Sequence, residues 1–150
     1  MINSNRRWLG PVTQRAIWAA THAPTGTAKD DNDGDGVSNG VKYVLGGSKN
    51  TTDVGKLPKV STTLGGDMVF TFTRDQASID GTTIVAIEVG IDLATWPSPS
   101  PNAVPAGATG PVNPGVTVVK DSPTGFDTVT LTVPQAPDSK EFARLKVSVP

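Results

Sequence analysis

The chain has 150 residues, a net charge of -1 and 36% hydrophobic residues, which allows one domain with a sizeable core. Its Lys and Arg residues are scattered, so no basic patch indicates nucleic acid, and no apolar run approaches the ~20 residues of a membrane helix. The absence of cysteine excludes thiol catalysis and cysteine-ligated zinc sites, and a single histidine argues against His-based zinc sites.

The first segment, residues 1–12, is polar and basic and lacks the apolar region of a signal peptide. We expect a poorly ordered leader, or a start placed inside a longer gene. Residues 13–21 (TQRAIWAAT) are alanine-rich and predict a short helix, with Thr13 as its N-cap and Ile17 and Trp18 available for burial.

An acidic, glycine-containing loop follows at residues 31–39 (DNDGDGVSN), with side-chain oxygens at every second position. The spacing matches a calcium loop, in which positions 1, 3 and 5 give carboxylates, a glycine at 6 makes the turn, position 7 gives its carbonyl and position 9 acts through water. Because Ca²⁺ prefers hard oxygen ligands, the loop predicts a calcium site. The predicted ligands are Asp31, Asp33, Asp35, Val37 and Asn39, with Gly36 at the turn.

The twelfth position of the loop departs from the pattern. It calls for a bidentate Glu, and this chain has Lys42 there. An inward Lys42 would repel the ion, so we expect its side chain to point away. The missing oxygens would then come from water, a backbone carbonyl, or an acid outside the loop such as Asp30 or Asp53.

Residues 38–45 (SNGVKYVL) predict a second short helix that Gly46 and Gly47 end, and residues 49–56 form a polar linker. Beyond Leu57 the hydrophobic period changes to two, which predicts strands. Residues 98–114 are rich in Pro, Gly and Ala and predict a long surface loop or crossover. The predicted strands cover residues 68–73, 83–89, 116–119, 128–133 and 142–149.

The expected fold is therefore mainly β: an antiparallel β-sandwich preceded by a short helix–calcium loop–helix module. The module would cover residues 13–50, and the sandwich, packed with it as one unit, residues 57–150. Neither short helix would be stable alone in water, so both must pack on each other or on the strands.

The order of a Trp-bearing helix, DDNDGDGVSNGVKYVLGG, FTFTRDQ, VAIEVGIDLATW and FARLKVSV resembles C-terminal modules of large secreted or surface proteins of environmental bacteria. The loop is similar to thrombospondin type 3 and dockerin repeats. The resemblance covers residues 16–149 and implies a secreted or cell-surface, calcium-binding attachment or accessory module. Its partners would be a larger parent chain, a cell-surface partner or a polysaccharide. Members of the family usually carry Glu in place of Lys42.

The sequence is compatible with two other functions. A Ca²⁺ ion that lacks its Glu ligand could activate water and hydrolyse small esters or lactones, for example acyl-homoserine lactones. A carbohydrate-binding module would need exposed aromatic residues, and Trp96, Tyr43 and Trp8 are the candidates. The string GVSNG at residues 36–40 matches G-x-S-x-G, but a loop precedes Ser38 and His22 comes before it in the chain, so we predict no catalytic residues.

Overall fold

A computed structural model describes residues 12–22, 26–48, 51–96, 102–135 and 141–150. The predicted leader at residues 1–12 lies outside this part except for its last residue, and so does Trp8. The predicted loop at residues 98–114 is described only from residue 102 onward.

Two short helices flank the acidic loop. Helix α1 spans Gln14–His22, and the Thr13 hydroxyl accepts a hydrogen bond from the Ala16 N–H at 3.1 Å, as expected of an N-cap. Helix α2 spans Asn39–Leu45 and is almost entirely buried, whereas α1 has no buried residue. No described helix is long and apolar enough to cross a membrane.

The described part of the chain contains eight strands in two antiparallel sheets, consistent with a β-sandwich, so the mainly β prediction is confirmed. The larger sheet has the order β1-β2-β7-β6-β5, and the smaller has the order β4-β3-β8. The strands are β1 Lys59–Thr62, β2 Met68–Asp75, β3 Ile84–Gly90, β4 Asn102–Ala103, β5 Gly110–Asn113, β6 Val116–Val119, β7 Phe126–Val133 and β8 Phe142–Ser148.

The core lies between the sheets, where alternate residues of the strands meet. Phe70 and Phe72 of β2 pack with Val85 and Ile87 of β3, and Leu45 of α2 joins the same cluster. Helix α2 is therefore fixed against the sandwich. Because α2 begins at the ninth position of the acidic loop, the core also positions that loop.

A buried arginine of the larger sheet reaches across to the smaller sheet. Arg74 of β2 and Asp127 of β7 face each other across the ladder, and their side chains are 2% and 0% exposed. The Arg74 guanidinium donates to Asp127 Oδ2 at 2.8 Å and to the carbonyls of Val104 and Pro105, which follow β4 in the other sheet. This arginine is thus held within the larger sheet by the ion pair with Asp127 and is bound to the smaller sheet by hydrogen bonds to the two carbonyls.

Gly46 ends α2 in a left-handed conformation with φ of 67°. A Cβ there would lie 2.5 Å from Phe126 Cε1, so a side chain would both strain the backbone and push against β7. We expect Gly46→Ala to lower the free energy of unfolding by about 2–4 kcal/mol in urea titrations. Gly55→Ala is the matched control, because nothing lies within 4 Å of its Cβ position, and it should change stability by less than about 0.5 kcal/mol. An equal effect of both substitutions would contradict this account of the helix end.

Candidate metal centre

Three carboxylates of the loop form one cluster. Asp31, Asp33 and Asp35 each place an oxygen within 4.8 Å of the others, so this group could hold a metal ion. Of the described residues, only these three form such a group. The alternating Asp spacing and the turns at Gly34 and Gly36, which have φ of 73° and 87°, bring the carboxylates to one side of the loop.

Lys42 points into this cluster. Its side chain is 0% exposed, and its Nζ lies 3.1 Å from Asp35 Oδ1, 3.9 Å from Asp31 Oδ1 and in close contact with Asp33 Oδ1. The expectation that Lys42 points away is therefore wrong. It assumed a bound ion that would repel the ammonium, whereas the ammonium itself supplies the positive charge that the acids attract.

The protonation states follow from these contacts. Burial by itself would lower the pKa of Lys42, but the hydrogen bonds to Asp33 and Asp35 outweigh it and raise that pKa above its ordinary value. The pKa of Asp35 is lowered to about 2, mainly by the hydrogen bond from the Asp53 backbone N–H. The Val37 N–H and the Lys42 ammonium lower it further, whereas burial acts in the opposite direction. Lysine and aspartate are thus both held in their charged forms at neutral pH.

Backbone amides close the loop around the same carboxylates. Asp31 accepts hydrogen bonds from the N–H groups of Gly34 at 2.9 Å and Gly36 at 2.7 Å, and the Gly36 bond is the main cause that lowers the pKa of Asp31. Asp35 accepts from the N–H groups of Val37 at 2.9 Å and Asp53 at 2.8 Å. The carboxylates therefore hold the loop in shape through the backbone, in addition to their contacts with Lys42.

The two acids proposed as additional ligands are engaged elsewhere. The Asp30 carboxylate accepts hydrogen bonds from the backbone N–H and the hydroxyl of Thr27, at 2.6 Å and 3.1 Å. Asp53 is buried, and its carboxylate accepts from the Ser48 N–H at 2.8 Å. Neither acid belongs to the cluster of three carboxylates, although the Asp53 N–H does reach Asp35.

The remaining predicted ligands are both buried. The Val37 N–H donates to Asp35, and its carbonyl stays a predicted ligand. Asn39 is the first residue of α2, and its Nδ2 donates to the Thr27 carbonyl at 3.0 Å. Its Oδ1 is buried without a hydrogen-bond partner among the described residues. Its role through water also stays a prediction.

Of the residues considered for catalysis or sugar binding, those that the structure describes have structural contacts. The ring of His22 packs on Trp18 with centroids 5.6 Å apart, and the carbonyl of Ser38 accepts the Lys42 N–H in the first turn of α2. Tyr43 is 1% exposed, and its hydroxyl donates to Asp80 at 3.0 Å. Burial, followed by the contact with Asp80, raises the pKa of Tyr43. The Arg144 guanidinium lies 4.1 Å from the centre of the Trp96 ring.

Comparison with known proteins gives no relative. No protein-family model, no curated protein and no solved structure matches this chain. The resemblance to surface-protein modules and the calcium assignment therefore stay predictions.

Proposed function

We propose that this chain is a non-catalytic accessory module of an extracellular protein, in which Lys42 acts as the internal cation of a calcium-type loop. In this proposal Ca²⁺ binds to Asp31, Asp33 and Asp35 weakly, because it must displace the Lys42 ammonium. The helix–loop–helix at residues 13–50 would serve to fix the loop on the sandwich. The single observation that carries the proposal is the buried ammonium among the three carboxylates.

The charges of the cluster support a competition between Ca²⁺ and the Lys42 ammonium. Three carboxylates and one ammonium leave two negative charges in the cluster, so a divalent cation is still attracted. However, the ammonium already lies within 4 Å of an oxygen from each aspartate, and an ion placed among them would be repelled at short range. Binding must therefore include moving a side chain whose stem is fully buried. Affinities of calcium sites fall as ligand charge decreases, which places this loop at the weak end of their range.

The extracellular location and the accessory role rest on the resemblance described above and on the motif itself. Calcium loops of extracellular modules work at dissociation constants of about 10⁻⁴–10⁻³ M, since calcium is plentiful there. A loop held by lysine instead would keep its shape whether or not calcium is present. We therefore expect the loop to have a structural role and calcium to be a secondary ligand.

Calorimetric titration with Ca²⁺ of chelator-treated protein tests the proposal. We expect the unmodified chain to bind with a dissociation constant above about 1 mM. Lys42→Glu removes the competing ammonium and adds a carboxylate, and its affinity should be at least tenfold higher, about 1.4 kcal/mol. Calcium should correspondingly raise the melting temperature of the variant more than that of the unmodified chain.

The control places Asp33→Ala in the Lys42→Glu background. It should abolish the gain in affinity, because one of the three clustered carboxylates is lost. Micromolar binding of Ca²⁺ by the unmodified chain would show that Lys42 does not compete. Equal affinities of the unmodified chain and Lys42→Glu would overturn the proposal as well.

The described geometry favours neither alternative. A calcium-dependent hydrolase would need an open ligand position for the reactive water, and the Lys42 ammonium occupies the space among the carboxylates. Of the two described candidates for sugar stacking, Tyr43 is buried and the Arg144 guanidinium covers one face of the Trp96 ring, which reduces the aromatic surface available. Hydrolysis of an ester or lactone that is lost when a chelator is added would support the calcium-dependent hydrolase instead.

A further inference from the structure

The two sheets differ in width, and the narrower one leaves part of the wider one uncovered. Val60 of β1 pairs with the buried Phe70, so its side chain is on the core-facing side of the larger sheet. It is nevertheless 60% exposed. The smaller sheet ends at β8, and no described strand continues that sheet over β1.

An apolar groove of about 340 Å³ occupies this position between β1 and β8. Helix α2 and the segment before β1 complete its walls. The lining residues that matter here are Val41, Leu57, Val60, Phe70, Ala143 and Leu145.

No strand among the described residues pairs with the edge of β8 beside this groove. The Val104 N–H donates to the Val85 carbonyl, so the odd-numbered residues of β3 direct their peptide groups toward β4. The even-numbered residues of β3 therefore bond to β8, where they pair with even-numbered residues. It follows that Ala143, Leu145 and Val147 direct their N–H and C=O groups toward the free edge.

We propose that this edge of β8 and the adjoining groove bind an extended peptide segment of a partner protein that alternates acidic and apolar residues. The segment would continue the smaller sheet as a fourth strand, with its apolar side chains over Val60 in the groove. This inference rests on the proposed accessory role, because it assigns a partner to that module. It does not depend on calcium binding, because the edge and the groove contain no residue of the acidic loop.

Charge decides the kind of partner. The strand β8 contains the two cations Arg144 and Lys146 and no acid. Arg144 and Lys146 both pair with the buried Glu88, so two half-exposed cations share one carboxylate. An added strand with outward acidic residues would find positive charge beside it.

A second copy of the chain fits this edge poorly. Antiparallel pairing of two β8 strands centred on Leu145 would place Arg144 of one copy opposite Lys146 of the other, and like charges directly opposite are destabilising. Cations on an edge also serve to prevent pairing between sheets. That role accounts for Arg144 and Lys146, but it does not account for an exposed, core-facing Val60 beside an apolar groove.

The probe is a capped seven-residue peptide that alternates glutamate and valine, compared with a peptide in which lysine replaces each glutamate. At low salt we expect the glutamate peptide to bind with a dissociation constant below about 1 mM and at least tenfold tighter than the lysine peptide. Amide hydrogen exchange should slow at least tenfold at Ala143, Leu145 and Val147 in the complex.

Two variants distinguish binding in this groove from nonspecific binding. Val60→Asp should weaken binding at least tenfold, whereas Val119→Asp, at a 51% exposed valine outside the groove, should leave it unchanged. If Val60→Asp does not fold, the isosteric Val60→Thr gives the same comparison. Equal binding of the two peptides, unchanged exchange at the three amides, or insensitivity to both Val60 variants would overturn the proposal. Protection of those amides in a dimer without peptide would overturn it in favour of a second copy. None of these results bears on calcium binding.

Discussion

In calcium-free buffer, Lys42→Met should lower the free energy of unfolding by about 2–3 kcal/mol. Methionine keeps the length of the buried stem but leaves three clustered carboxylates without a cation. Breaking a fully buried ion pair costs about 3–5 kcal/mol. The cost here is smaller because Asp31 and Asp33 keep partial contact with solvent, at 28% and 15% exposure. Urea titration in the presence of chelator measures the difference.

Lys29→Met is the matched control for this experiment. Lys29 is exposed and precedes the loop, and its removal should change stability by less than about 0.5 kcal/mol. Addition of millimolar Ca²⁺ should restore much of the stability of Lys42→Met, because the ion can then occupy the place of the ammonium. If Lys42→Met were as stable as the unmodified protein without calcium, Lys42 would not be the internal cation of the loop.

The pH dependence gives an independent readout of the same contacts. Because the folded pKa of Asp35 is lowered to about 2, its contribution to stability is present above its unfolded value near 3.9 and is lost as the pH falls toward 2. The folded pKa of Lys42 is raised, so its contribution is complete below its unfolded value near 10.4 and is lost as the pH rises through the folded value. The stability difference between the unmodified chain and Lys42→Met should therefore decrease at both extremes.

The strands that the sequence predicts best have an apolar residue at every second position. The predicted strand at residues 116–119 coincides with β6, and the predictions near β2, β3, β7 and β8 shift by one or two residues. The strand β1 was missed because all four of its residues are exposed, so burial imposes no alternation on it. The strands β4 and β5 fall within the predicted loop at residues 98–114. Strand β4 has only two residues, and β5 begins with Gly110 and Pro111, which are unfavourable in strands. Neither segment therefore has a sequence pattern from which strand pairing could be predicted.

The acidic loop shows a similar division between local and tertiary information. Spacing alone predicts that Asp31, Asp33 and Asp35 converge, because the ligand positions and the glycine turn lie within a few residues. The direction of Lys42 depends on α2, whose packing against the core fixes which side chains face the loop. A usable signal was present nonetheless: the twelfth position, which calcium loops of this pattern fill with an inward Glu, carries the opposite charge here. The contacts of Arg74 with Pro105 in the other sheet and with Asp127 in its own sheet gave no such signal, since they join residues about thirty and fifty positions apart.

Arg74→Met should be among the most destabilising single substitutions in the chain, lowering the free energy of unfolding by about 3–5 kcal/mol. It leaves the fully buried Asp127 with Gln76 as its remaining side-chain donor, at 2.8 Å. It also removes the donor to the carbonyls of Val104 and Pro105. Chemical denaturation at pH 7 measures the loss, and a change below about 1 kcal/mol would show that the sheets do not depend on this tie.

A second substitution separates the buried charge from the bridge between the sheets. Arg74→Met with Asp127→Leu removes both charges, so the double variant should recover most of the loss and remain about 1–2 kcal/mol below the unmodified chain for the unpaired carbonyls.

Burial opposes ionisation of Asp127, but hydrogen bonds from Gln76 and Arg74 outweigh it and lower its pKa. This stabilisation is present above the unfolded value near 3.9 and is lost as the pH falls through the folded pKa. Asp127→Asn should therefore lack that part of the acid sensitivity while the protein keeps the contacts between Arg74 and the other sheet. If Asp127→Asn lost stability in acid as steeply as the unmodified chain, the charge of Asp127 would have no part in stabilising the buried Arg74.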